Sequence, residues 1–363
     1  MAASVGSPFE SLASDTKVVV CAGPGGVGKT TVSAAIALHA ARIGRRACVI
    51  TVDPARRLAD ALGVESLSNT PATVAGEFAG TLHALMLDTK GTFDDLVDTY
   101  ARSHAQSDAI RSNRIYQNLT GMLSGTQEYM AMEKLYELTE SGDFDIVVVD
   151  TPPTRHALDL LDAPRRLTRF LENRLFRALL GPTRASLRLL SIATQALLRT
   201  LSKVAGAEIV QDAVAFFQAF EGMEEGFSAR AGAVRDLLAD PGTAYVLVTS
   251  PRPDSIEETA YFAARLAETG VRPAVLVVNR VHPTFGPVAA PAGGAGGGAL
   301  AALLENHQRL HETAEREGRS VATLSAEVAP SPVARIGLLD SDVHDLDGLG
   351  AVADQLFGHP PLG

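Results

Sequence analysis

In 363 residues the chain carries 46% apolar, 20% charged and 5% aromatic residues and no tryptophan, too apolar for a disordered protein and long enough for one large core or two domains. Its two cysteines exclude a disulfide framework or a zinc site of several thiolates. A net charge of −10, from 32 basic and 42 acidic residues, argues against broad, non-specific binding to nucleic acid.

The stretch Met1–Thr16 has no basic region followed by an apolar run, and no segment reaches the 18 or so apolar residues that cross a bilayer. The expectation is a cytoplasmic protein without an integral membrane segment, with residues 1–15 as a disordered lead-in. From there β-branched runs recur in chain order: Lys17–Ala22, Ala47–Val52, a weaker Leu82–Leu87, Asp145–Val149, Ala244–Thr249 and Ala274–Val278. Continuous apolar runs are how strands read when helices cover both faces of a parallel sheet. They predict an α/β domain over 16–363 built on a doubly wound, mostly parallel sheet, with ligands at the carboxyl ends of its strands. Residues 92–141 and 162–240 carry only helical pattern and are assigned to an inserted α-helical subdomain. Residues 285–299 are rich in Gly and Ala and read as a flexible loop.

The first strand runs straight into Gly23-Pro24-Gly25-Gly26-Val27-Gly28-Lys29-Thr30-Thr31, and a helical pattern over Val32–Ala41 follows. This is G-x-x-x-x-G-K-[ST] between a strand and a helix, the signature of a P-loop NTPase. The small residues Gly25, Gly26 and Gly28, with Val27, let backbone N–H groups close around phosphate oxygens, and the helix N-terminus adds a favourable dipole. Lys29 is expected to reach the β- and γ-phosphates, the Thr30 hydroxyl to ligate Mg²⁺, and Thr31 to contact the α-phosphate.

Hydrolysis also needs a carboxylate near Mg²⁺ and a group that positions the attacking water. Asp53 (TVDPARRL) and Asp150 (VVVDTPPTRH) stand at predicted strand ends and fit these roles, each touching the metal through water; each could instead cap the helix that follows.

The segments GPGGVGKTT, TVDPARRLADALG and DTPPTRHALDLL resemble the phosphate loop and two switch segments of the ArsA family. That family comprises arsenical-pump ATPases and the ATPases that target tail-anchored membrane proteins, deviant Walker-A NTPases related to MinD and ParA. Asp150, Thr151, Pro153, Thr154, His156 and Leu158 match its second switch. Val277-Val278-Asn279-Arg280 resembles the strand end where the family sets an Asn against adenine, and Ile336–Leu346, with Asp340, resembles the loop that closes over the base. The resemblance implies ATP and Mg²⁺, with Asp53 orienting the hydrolytic water and Asp150 sensing γ-phosphate and metal. It further implies a dimer whose opening and closing are coupled to a hydrophobic or membrane-protein client. No N-K-x-D motif for guanine is present.

Three departures qualify this. Pro24 stands where the family has its signature lysine, which reaches the nucleotide across a dimer interface. A proline ring stabilises no developing charge, so, unless the lysine is dispensable here, the expectation is either a slow homodimer or a heterodimer. In the latter an ArsA-like paralogue supplies the lysine and this chain is a nucleotide-binding regulatory subunit. Arg155 replaces a family glycine and adds positive charge near the phosphates. The zinc-binding C-x-x-C is absent from 281–298, and Cys21 and Cys48 fall in predicted strands as small buried hydrophobes. That disfavours a thiol-based arsenite pump and an iron–sulfur reductase. Between Arg165 and Lys203, leucines at spacings of three and four alternate with basic residues. This amphipathic pattern fits packing on the protein's own core, a groove for a client helix, or transient contact with an anionic membrane; Phe216, Phe217, Phe220, Met223 and Phe227 belong either to that groove or to the core.

Overall fold

The computed structural model describes residues 8–53, 57–117, 126–152, 163–165, 168–169, 207–284, 286 and 298–358. Its sheet contains β1 (Val18–Ala22), β2 (Arg46–Thr51), β3 (Ala72–Thr73), β4 (Thr81–Met86), β5 (Ile146–Asp150), β6 (Thr243–Thr249), β7 (Val275–Val281) and β8 (Val333–Gly337). Their spatial order is β3-β4-β2-β5-β1-β6-β7-β8. Every neighbouring pair is parallel except β3 with β4. The chain thus winds outward from β1 in both directions, the doubly wound arrangement expected.

The apolar runs are explained by burial on both faces. Val19, Cys21, Val148 and Val246 join the core beneath the helix Lys29–Arg42, and the opposite-facing Val18, Val20, Val147 and Leu247 are equally buried. Five alanines in Lys29–Arg42 let that helix lie close to the strands. The helix Leu346–Phe357 packs on it, with the Phe357 ring stacked on His39 at 4.0 Å. The helices Pro253–Glu268 and Ala299–Glu327 pack together, the first on β6 and the second on β7.

Two strands escape the apolar-run criterion. β3 is only two residues long, and β8 is an edge strand with Arg335 exposed at its centre between buried Ala334 and Ile336. The disordered lead-in over 1–15 needs correction. Pro8–Ser14 is a helix that buries Leu12 and Ala13 in the core, and Arg45 Nη1 holds the Ala13 carbonyl at 2.6 Å; residues 1–7 lie outside the described residues.

The chain divides into two compact units, Met1–Met86 with Leu138–Leu158 and Pro241–Gly363, and Leu87–Glu137 with Asp159–Asp240. The second is helical in its described parts, including Thr89–Tyr100, His104–Arg111, Ala207–Ala219 and Glu224–Ala239. Phe216, Phe220, Met223 and Phe227 are buried there, with the Phe220 and Phe227 rings 4.9 Å apart and Phe216 beside Tyr116. These four side chains therefore serve that unit's own core; Phe217 is half-buried. In the same unit, buried Glu133 takes a 2.6 Å hydrogen bond from Arg230 Nε, whose guanidinium lies 4.1 Å from the Tyr136 ring centre. The switch residues Pro153, Thr154, Arg155, His156 and Leu158, nearly all of the basic segment 165–203 and the loop residues 287–297 lie outside the described residues. Among the described residues no helix is long and apolar enough to cross a membrane.

Candidate functional site

A parallel sheet sends all its carboxyl ends to one edge. The segments leaving β1, β2, β5, β7 and β8 meet there around a cavity of about 530 Å³. The loop after β1 leaves the sheet at Gly23, where a Cβ would stand 1.9 Å from the Val248 carbonyl oxygen of β6, so any side chain would displace backbone. At its far end Gly28, with φ 95°, turns the chain into the helix Lys29–Arg42 without a side-chain cap. The first N–H groups of that helix are thereby left for an anion.

Gly25, Gly26, Gly28, Lys29, Thr30 and Thr31 line the cavity. Val27 does not; its side chain belongs to the core and its carbonyl oxygen accepts a 2.8 Å bond from Asn279 Nδ2. Lys29 is buried and folds back to donate to the Pro24 carbonyl at 2.9 Å. Burial pushes its amine below the usual range, while the Asp150 and Asp53 carboxylates push it back up.

Asp150 ends β5 at the cavity floor. Sheet register sets Thr51 of β2 directly beside it, and the Thr51 hydroxyl donates to Asp150 Oδ2 at 2.9 Å. The Thr30 hydroxyl donates to the same oxygen at 2.7 Å. Burial pushes the Asp150 carboxyl up from 3.8 to about 6, against the pull of the two hydroxyls and the Lys29 amine. Thr51 also links the two acids, since its oxygen accepts the Asp53 backbone N–H at 3.2 Å. Asp53 itself is half-buried and lines the cavity. A nucleotide-bound Mg²⁺ takes oxygen ligands and keeps several waters. The Thr30 hydroxyl and the Asp150 and Asp53 carboxylates form an all-oxygen donor set on one side of the cavity, so the residues present fit that ion.

Asn279 and Arg280, at the end of β7, also line the cavity. Asp340, expected beside the base, is exposed and is not among the residues that line the cavity. From this loop Leu338, Leu339, Ser341, Asp342, Val343 and His344 face the cavity instead. Sequence reasoning missed Thr51, Arg57 and Arg280. The signal for Thr51 was its position two residues before Asp53 at the end of a strand; Arg280 directly follows Asn279.

A family model described as anion-transporting ATPase matches residues 16–285. An uncharacterized protein of Streptomyces coelicolor, SCO2128, is 32% identical over 271 residues, covering 75% of this chain and 64% of that protein. The ATPase asna-1 of Caenorhabditis elegans is 32% identical over 160 residues, 42% of this chain and 46% of that protein. A putative arsenical pump-driving ATPase of Prosthecochloris vibrioformis is 24% identical over 362 residues, 95% of this chain and 79% of its own length. The matched region thus spans less than two thirds of the first of these proteins and under half of the second. A phosphate loop between β1 and its helix, two strand-end acids joined through Thr51, and a family match over residues 16–285 agree: the chain belongs to the ArsA family of anion-transporting ATPases.

Proposed function

We propose that this chain binds ATP with Mg²⁺ and hydrolyses the γ-phosphate, working in a dimer whose opening and closing are coupled to a hydrophobic or membrane-protein client. The observation that carries the catalytic part is the buried Asp150 carboxylate, which takes hydroxyl hydrogen bonds from Thr30 of the phosphate loop and Thr51 of β2. When bound, Mg²⁺ supplies neutralising charge to the phosphate oxygens. The loop N–H groups and Lys29 hold the phosphates, and Asp53 orients the attacking water and accepts its proton. Asp150, through Thr51, keeps the Asp53 segment tied to the loop.

The client part rests on the family resemblance and on the leucine- and arginine-rich sequence 165–203. Both cysteines argue against soft-metalloid sensing: Cys21 and Cys48 are wholly buried, and burial pushes the Cys21 thiol up to about 12, far from a reactive thiolate.

Phosphate release by the purified chain tests the reading. Asp53→Asn is expected to lower kcat by about 10² to 10⁴ with little change in ATP affinity. Turnover untouched by this substitution would refute the role of Asp53. Pro24 favours a second reading, a regulatory subunit completed by a lysine-bearing paralogue. ATP binding without turnover in the lone chain, and turnover restored by such a paralogue, would support it.

A further inference from the structure

Among the described residues, Arg280 is the non-glycine residue with a left-handed backbone, φ 62°. Arginine gains nothing from that conformation, which glycine adopts freely. A strained residue persists where its surroundings hold it, and here both its side chain and its backbone are held. Arg280 Nη1 donates to the Gly26 carbonyl at 3.1 Å, and its backbone N–H donates to Asn279 Oδ1 at 2.9 Å. Asn279 Nδ2 in turn donates to the Val27 carbonyl at 2.8 Å. Two successive carbonyls of the phosphate loop are therefore tied to the end of β7. Because each trans peptide sets its N–H opposite its C=O, tying these carbonyls also fixes where the Val27 and Gly28 N–H groups point. The fit is close: a Cβ on Gly28 would stand 2.2 Å from Asn279 Nδ2.

We propose that Arg280 is a positioning residue of the phosphate loop. With Asn279 it latches the loop to β7, and its guanidinium places a fixed positive charge at the loop's edge, in a chain where Pro24 supplies none. This assigns the Asn279 amide a structural task in addition to the adenine contact implied by resemblance, and it gives a chain-internal source for charge that the family resemblance places on a partner subunit. The inference rests on the reading that this loop binds nucleotide phosphates.

Calorimetric titration of the full chain with ADP and with ATP separates the two. R280G removes the guanidinium and relieves the backbone, so the nucleotide-free protein is expected to melt no lower than wild type. Its affinity for both nucleotides is expected to fall about tenfold, the scale of one hydrogen bond made by a charged donor. R280K, keeping the charge and one donor toward Gly26, recovers part of that loss. R280G affinities within twofold of wild type would overturn the latch. So would a loss that matches a fall in the melting temperature of the nucleotide-free protein and that R280K does not recover. A wild-type chain that binds neither ADP nor ATP would overturn the nucleotide reading beneath it.

Discussion

Replacing Asp150 by Asn is expected to make the nucleotide-free protein more stable while stopping its chemistry. Burial raises the Asp150 carboxyl from 3.8 to about 6, so between those values the folded chain binds more protons than the unfolded one. Stability then falls as pH rises through that window, and the loss is complete above about pH 6. The shift corresponds to roughly 3 kcal/mol in full. An Asn at this position can accept the Thr30 and Thr51 hydroxyls through its amide oxygen, yet carries no charge to desolvate. Its N–H₂ group needs an acceptor of its own, which takes back part of the gain, leaving about 1–3 kcal/mol at pH 8. Urea midpoints of wild type and D150N, measured without nucleotide at pH 4.5, 6 and 8, read this directly. The advantage of D150N should grow with pH across the series, while its ATP turnover drops at least about a hundredfold. A variant less stable than wild type at pH 8, or a difference that ignores pH, would show that the folded chain favours the ionised carboxylate and would refute the argument.

Two substitutions probe other parts of the molecule. G28A sets a side chain at φ 95° and drives its Cβ within 2.2 Å of Asn279 Nδ2; thermal melting should show a loss of about 1–3 kcal/mol, and ADP titration a loss of binding. In the helical unit, E133A leaves the Arg230 guanidinium without its 2.6 Å partner, a change expected to cost about 3–5 kcal/mol. E133Q, which retains an acceptor for Arg230 Nε, should cost less; equal melting temperatures for the two variants would argue that the pair contributes packing alone.

The sheet was legible because its strands are buried on both faces, and uninterrupted runs such as VVVCA and IVVVD have few other uses. β8 was not, because an edge strand with exposed Arg335 alternates like a surface segment. The lead-in differs from its expectation for a related reason: about two helical turns, Pro8–Ser14, are too short to show periodicity, and their order comes from burying Leu12 and Ala13. At the site, Lys29, Thr30, Asp53 and Asp150 could be found from the sequence because each occupies a strand end or a glycine-rich turn. Thr51 and Arg280 adjoin Asp53 and Asn279 in the sequence, but their roles do not show there, because they depend on register between β2 and β5 and on the reach of β7 to the loop. Neither relation is written in local spacing. Asp340 illustrates the converse: its neighbours Leu339 and Ser341 line the cavity while Asp340 is exposed, a choice of residues that a resemblance to a loop does not fix.

The proposal that phosphates enter with Mg²⁺ also has an electrostatic reason. Among the described residues lining the cavity, the cations are Lys29, Arg57 and Arg280, whereas Asp53, Asp60, Asp150 and Asp342 bring carboxylates. The loop and helix N-terminus add partial positive charge, but the formal side-chain charges do not favour a bare polyphosphate, and the molecule as a whole carries −10. Polyphosphate neutralised by a divalent ion loses that disadvantage and meets an oxygen donor set suited to the ion. Retaining Pro24 in place of a cation sharpens the point. Its carbonyl receives the Lys29 amine at 2.9 Å, whereas its ring brings neither a side-chain charge nor a backbone N–H. Charge at this end of the cavity must then come from Arg280, from the metal, or from another subunit, and the affinity and turnover of the lone chain distinguish these sources: the first acts on binding, the last on kcat.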